Sequence, residues 1–404
     1  MSARDHDDPV GEWRPKTLGD VPYLVAKIDA GTVRSPDGTL AWPVGFGMRH
    51  PYETMEDFAV LADMYRFPDD FPHVRREHAM RRCLKRIPPS LALTPDNVLT
   101  AIRSEVAAYE SRPRVPFVVL TSLSLRWMPS LAARRIGSTV IEFRELPPPE
   151  FRMPQQAADA LNALGPDVPS AHTWVLATTM ARCGLGAEAQ AVYDLDMLRG
   201  LWTLLLTHGG RTSSTFPAAI SKLKLGPLYT VHRPDGSPAR DDYWLERNYS
   251  RPRHLVNLRS KYARLVDAER DWLAAIGHTP PHVVDLGRCF VRYIRALDEA
   301  DMATTAVHLW SVLEALTQTR KHEQVVRRVT ARMERSEYNR IVLEHARRRR
   351  NHYVHVEHDG DAGETLPYRV KDYVEMMFAT ARHLGPVSRT KEEYLAFLDA
   401  PSRD

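Results

Sequence analysis

Cysteine is nearly absent from this chain, with only Cys83, Cys183 and Cys289 among 404 residues. Three scattered thiols cannot build a disulfide framework or a cysteine-based zinc site, so a reducing, cytoplasmic compartment is expected. Long apolar runs are missing too. The most apolar stretch, Leu201 to Leu206, is far shorter than the ~20 residues that span a bilayer. It reads as part of a buried helix, and no membrane partner is expected. The opening Met1-Ser2-Ala3-Arg4-Asp5-His6-Asp7-Asp8-Pro9 is polar and acidic, where a secretion signal needs a basic end and an apolar core.

Several chemical signatures are lacking as well. No GxxxxGK[ST] loop appears, which removes support for an ATP-driven role. Gly184-Leu185-Gly186 is too short for a dinucleotide fingerprint. Seryl nucleophile elbows, internal repeats and low-complexity tracts are also absent. No cofactor is expected. Hydrophobic residues at 43% and charged residues at 26% exclude global disorder. The length suits two or three domains of ~100–200 residues.

A net charge of +4 is modest and does not by itself imply a nucleic-acid partner. Its distribution says more. Between 320 and 350 the basic residues Arg320, Lys321, Arg327, Arg328, Arg332, Arg335, Arg340 and Arg347 to Arg350 outnumber Glu323, Glu334, Glu337 and Glu344. Such a field attracts a polyanion, although the same pattern also suits a solvated helix face laced with ion pairs.

Along the chain, the first ~95 residues suggest strands and loops. Tyr23-Leu24-Val25-Ala26 and Leu40-Ala41-Trp42-Pro43-Val44 alternate there with turn signals such as Pro36-Asp37-Gly38. Met55 to Tyr65 reads as an amphipathic helix, and the basic cluster from Arg81 to Arg86 reads as surface solubility. Asp96-Asn97 offers a cap for a helix reaching Tyr109. Pro116 to Leu125 and Ser138 to Arg144 are rich in strand formers, and Pro147-Pro148-Pro149 marks a boundary. The pattern from Gln155 to His208 is helical. Leu223–Val231 and Asp241–Tyr249 form a hairpin around Pro234-Asp235-Gly236. Its Tyr229, Tyr243, Trp244 and Tyr249 suit core packing first and base stacking second. The most regular helical spacing follows, predicting helices at 256–276, 283–297, 304–318, 322–335, 337–355 and 367–384. The expected fold class is therefore α-rich α+β. A mixed α/β region at 1–150 and a helical middle region with a hairpin at 151–255 precede an up-and-down helical bundle at 256–404.

Within that bundle, Arg347-Arg348-Arg349-Arg350-Asn351-His352-Tyr353-Val354-His355 sets a titratable imidazole beyond a run of permanent cations. Cleavage of RNA by its own 2′-hydroxyl needs a base, an acid for the leaving 5′-oxygen, and positive donors around the phosphorane. Histidine, with an unperturbed pKa of ~6.5, suits proton transfer. Arginine suits charge stabilisation, worth ~2.7–4 kcal/mol in comparable sites.

Arg350-Asn351, three further residues and His355 resemble the R-X4-6-H signature of HEPN domains, helical ribonuclease modules of prokaryotic toxins and defence proteins. His308 to Leu316, with Leu313-Glu314-Ala315-Leu316 at its end, resembles the "ALE-L" helix of the ApeA-like branch. The resemblance covers roughly the last third of the chain. It implies His355 for proton transfer, Arg350 for phosphate and transition-state stabilisation, Asn351 for orientation, and Glu314 as an orienting carboxylate or a structural ion-pair partner. Arg347, Arg348, Arg349 and His352 are expected to bind the RNA substrate. The family pairs two motifs across a cleft, so a homodimer through the C-terminal bundle is implied, with a nearly inactive monomer. The family also implies a toxin or antiviral defence effector. Its expected controls are a regulatory protein or a phage-derived trigger, with the N-terminal region as sensor or targeting module. HEPN toxins that are modified on tyrosine carry it two residues after the motif histidine. Val356 and Glu357 follow His355 here, which argues against that control.

On an ideal helix Arg350 lies about 140° from His355, whereas Arg348 and Asn351 lie within about 20° and 40° of it. Helix distortion, a long guanidinium reach, or substitution by Arg348 or Arg349 all remain open at this point. Two other readings compete with the nuclease. His352, His355 and His358, with Glu357, could hold a hydrolytic metal, although Asp359-Gly360 ends the helical spacing. A non-catalytic bundle that binds RNA or protein is the second. The metal-independent endoribonuclease is the leading expectation, with no metal site.

Overall fold

The computed structural model describes residues 10–30, 33–34, 40–41, 51–68, 71–88, 91–163, 172–207, 220–240, 242–246, 249, 255–331, 333, 335–355 and 366–400. The side chains of 29–30, 33–34, 40–41, 51–57, 74, 207 and 350–355 are excepted. The chain folds as two compact units. The first comprises 1–117 with 180–189, and the second 118–179 with 190–404. The α-rich α+β class holds, with helices predominating around one six-stranded sheet.

In the first unit, α1 (Val21–Ala30), α2 (Pro51–Met64), α3 (His73–Arg86) and α4 (Pro95–Glu110) pack on one another, beside a short ladder of β1 (Val33–Arg34) and β2 (Leu40–Ala41). Tyr23 to Ala26 lie in α1, not in a strand. Val21, Val25 and Ile28, at spacings of four and three, are all buried, so a helical stripe won over strand-forming composition. The aromatic series Trp13, Tyr65, Phe67, Phe71 and Tyr109 runs through this core by edge and tilted contacts. Helix α4 is capped two residues earlier than expected, by Thr94, whose Oγ1 accepts from the Asn97 amide at 3.3 Å. The predicted turn Pro36-Asp37-Gly38 and residues 42–44 lie outside the described residues.

In the second unit, β3 (Val115–Leu123, which begins in the first), β4 (Arg134–Ile136), β5 (Thr139–Arg144), β6 (Thr173–Ala181), β7 (Leu228–His232) and β8 (Trp244–Leu245) form one sheet in the order β4-β5-β6-β3-β7-β8. Strands from both sides of Pro147-Pro148-Pro149 therefore belong to the same sheet. Strand β6 corrects the helical reading of 155–208. Thr173 to Ala177 are buried without interruption, as a central strand covered on both faces requires, and periodicity cannot separate that pattern from a buried helix. The expected hairpin is present, with Leu228 opposite Leu245 and Tyr229 opposite Trp244.

One sheet face packs Val118, Leu120, Trp174, Leu176 and Leu228 on Ala157 and Leu161 of α5 (Gln155–Ala163). The other meets α6 (Gly184–Thr207), where Phe143 stacks on Trp202 at 5.7 Å and Thr139 Oγ1 donates to Asp194 Oδ2 at 2.5 Å. Six helices follow close to their predicted positions: α7 (Tyr262–His278), α8 (Leu286–Asp298), α9 (Met302–Leu316), α10 (His322–Thr330), α11 (Ser336–His355) and α12 (Leu366–Leu384). A short α13 (Lys391–Asp399) closes the series. Helix α9 is central and packs on α8, α10, α11 and α12. Buried Arg199 ties α6 to this layer, with bonds to both Asp298 carboxylate oxygens at 2.9 and 2.7 Å and to Asp196 at 2.7 Å. Burying a guanidinium is tolerable only with such complete pairing.

Candidate functional site

Three consecutive helices carry the residues singled out by the motif. Helix α9 starts where Asp301 accepts from the Thr304 amide at 2.7 Å, an N-cap that satisfies a free helix donor. Leu309, Trp310, Val312, Leu313 and Leu316 are buried against its neighbours. That packing holds Glu314, near the helix end, part-buried beside His322, the first residue of α10. Glu314 Oε1 lies 3.8 Å from His322 Nδ1, a charge contact rather than a hydrogen bond. The Trp310 and His322 rings are 5.9 Å apart. Neither Trp310 Nε1 nor His322 Nδ1 has a hydrogen-bond partner among the described residues, and both are buried.

The imidazole beside Glu314 is thus His322, a residue that the sequence reading passed over. No spacing rule joins them, because they meet only through the α9–α10 turn, where Gln318 adopts φ 54°. Further along α10, Arg328 closes the turn from inside. Its Nη1 donates to the Thr317 carbonyl at 2.8 Å, while Nε and Nη2 grip both oxygens of Asp399 at 2.8 Å each.

Helix α11 is continuous from Ser336 to His355. Its buried stripe contains Leu343 and Ala346. Its exposed stripe contains Tyr338, Ile341, His345 and Arg348, and Tyr338 and Ile341 are 58% and 56% exposed. The side chains of Arg350, Asn351, His352 and His355 lie outside the described residues. By the 100° step of a helix, position 355 shares its phase with 341, 345, 348 and 352, and position 350 shares its phase with 343 and 346. Arg348 is the arginine in phase with His355.

The basic run is partly neutralised. Arg327 and Arg328 pair with Asp399, Arg340 with Glu337, and Arg347 Nε with Glu344 Oε2 at 2.7 Å. Arg348 is exposed and Arg349 half-buried. Arginines in the last turns of α11 also complement the negative end of the helix dipole. Arg332, Glu334, Glu357 and His358 lie outside the described residues. Among the described residues, no three His, Cys, Asp or Glu side chains gather as metal ligands, and no helix is long and apolar enough to cross a membrane. No family model, curated protein or solved structure matches the chain.

Proposed function

We propose that this chain is a metal-independent endoribonuclease of HEPN type, working as a homodimer and serving as a toxin or antiphage defence effector. The observation that supports the reading is the unbroken helix through positions 348, 351, 352 and 355, which helical phase sets on the same side as the exposed Arg348. In this scheme the 2′-hydroxyl of RNA attacks the adjacent phosphorus and loses its proton to one imidazole. The P–O5′ bond breaks, and the leaving oxygen takes a proton from a second. The products are a 2′,3′-cyclic phosphate and a 5′-hydroxyl. Arginine at 348 neutralises the phosphorane, Asn351 orients the substrate, and His355 transfers protons.

Each chain supplies one motif histidine, and the second comes from a twofold-related copy. Positions 338, 341, 345, 348, 352 and 355 alternate spacings of three and four, the pattern of a helix–helix seam. The exposed Tyr338 and Ile341 supply its apolar end, and the motif lies at its cationic end.

The deciding experiment is RNA cleavage by the purified protein in excess EDTA, comparing wild type with His355→Ala, Arg348→Ala and Arg350→Ala and analysing product ends. EDTA-resistant cutting with cyclic phosphate ends, lost in His355→Ala, supports the nuclease. Cutting abolished by EDTA supports a metal hydrolase instead. RNA binding without cutting supports a non-catalytic module, a reading favoured by the phase offset between positions 350 and 355.

A further inference from the structure

In the first unit, α4 carries Arg103, Val106, Ala107 and Glu110 at spacings of three and four, one stripe of a helix. Beside that stripe, segment 11–14 runs antiparallel to 64–66. The Gly11 amide donates to the Arg66 carbonyl at 2.9 Å, the Arg66 amide to the Glu12 carbonyl at 2.9 Å, and the Arg14 amide to the Met64 carbonyl at 2.7 Å. Arg103 ties the stripe to this segment. Its Nε donates to the Gly11 carbonyl at 2.8 Å, and its Nη2 pairs with Glu12. Between them lies an open cleft of about 270 Å³, whose lining also includes Tyr65 and Pro68.

Tyr65 is 1% exposed, and its hydroxyl has no hydrogen-bond partner among the described residues. A buried hydroxyl without a partner is costly, and each one in a folded protein asks for a cause. Edge contacts from Trp13 at 5.8 Å and Phe67 at 4.7 Å hold the ring in place. A Cβ on Gly11, itself at φ 85°, would stand 3.7 Å from the phenol oxygen. Burial raises the phenol pKa to about 12, with Arg103 opposing and Glu110 and Glu12 adding to the rise. Those three are the charged groups of the cleft, so the oxygen lies among them.

Two carboxylates of the lining face one guanidinium, and that guanidinium is committed to Gly11 and Glu12. The cleft therefore suits a cation better than an anion. Val10, Pro68, Val106 and Ala107 supply an apolar wall, where a hard metal ion would need about six oxygens. We propose that this cleft binds a small aliphatic ammonium compound, its nitrogen donating to the Glu110 carboxylate and the Tyr65 hydroxyl oxygen and its alkyl chain lying on Pro68 and Val106. The volume falls just below the ~300–1,000 Å³ of small-molecule pockets, which suits a ligand of a few carbons. Binding here is independent of the nuclease reading.

The test is isothermal titration calorimetry of full-length protein with butane-1,4-diamine at neutral pH and low salt, with butane-1,4-diol, succinate and calcium chloride as alternative ligands. The variants are Glu110→Gln, Tyr65→Phe and, at an exposed carboxylate elsewhere, Glu145→Gln. The diamine alone should bind. Glu110→Gln should weaken it by about 10- to 100-fold, the loss of a charge-assisted hydrogen bond, and Tyr65→Phe by about 2- to 10-fold. Glu145→Gln should leave it unchanged. Without ligand, Tyr65→Phe should melt no lower than wild type, because the hydroxyl it removes has no bond to lose. Absence of diamine binding, equal losses in Glu110→Gln and Glu145→Gln, binding of the diol, succinate or calcium in its place, or a lower melting temperature of ligand-free Tyr65→Phe would each overturn the proposal.

Discussion

At the residue scale, the question is which arginine serves His355. Phase on α11 assigns 348 to the outward stripe and 350 to the stripe of Leu343 and Ala346. Arg348→Ala is therefore expected to lower kcat by about 10²–10³, the loss of one anion-stabilising donor, with melting temperature unchanged. Arg350→Ala is expected to act chiefly on stability, seen as a lower melting temperature at similar kcat. Reversed results from parallel kinetics and calorimetry would return the role to Arg350. The motif residues were legible as a string, since an Arg-His spacing needs no tertiary knowledge. The partner of Glu314 was not. His322 reaches it through a turn with a positive φ, and no periodic rule predicts such a meeting.

At the element scale, α10 is clamped to α13 by Arg328 and Asp399. Hydrogen bonds from Arg328 hold the Asp399 carboxyl below its usual range. Because the folded pKa is depressed, the stabilisation is complete above the unfolded carboxylate pKa of ~3.9 and is lost as pH falls through the folded value. Asp399→Asn should cost about 1–3 kcal/mol at neutral pH, discounted by its partial exposure. The gap from wild type should narrow as pH falls below about 3.9, measured by urea denaturation across pH. A second contact tests the α6–α8 approach. A Cβ on Gly200 would stand 2.5 Å from the Phe290 carbonyl oxygen, so Gly200→Ala should destabilise by about 1–3 kcal/mol in the same assay. The six helices from α7 to α12 were readable because an apolar stripe recurs every three or four residues. Strand β6 was not, because an element buried on both faces loses its alternation.

At the scale of the whole molecule, the nuclease reading requires two copies. Tyr338→Glu with Ile341→Glu places charge in the proposed seam while leaving the buried stripe of α11 alone. Light scattering should find a dimer for wild type and a monomer for this variant, with cleavage lost and helicity retained. A monomeric wild type that cuts RNA would sink the composite site. The division into units also belongs to this scale. A break at Pro147-Pro148-Pro149 is a sound local inference from residues that end helices and strands. In the fold those prolines only turn the chain between strands of one sheet, and 180–189 returns to the first unit.

Local pattern was enough for the α-rich class, the C-terminal series of helices, the hairpin and the Arg-His motif, because each depends on neighbours a few residues apart. Contacts between distant segments chose the rest. They made 173–181 a central strand, turned Tyr23 to Ala26 into a helix, and set Glu314 beside His322. In every case the deciding quantity was which apolar side of an element another element covered, and hydrophobic burial acts between surfaces that the chain brings together only on folding.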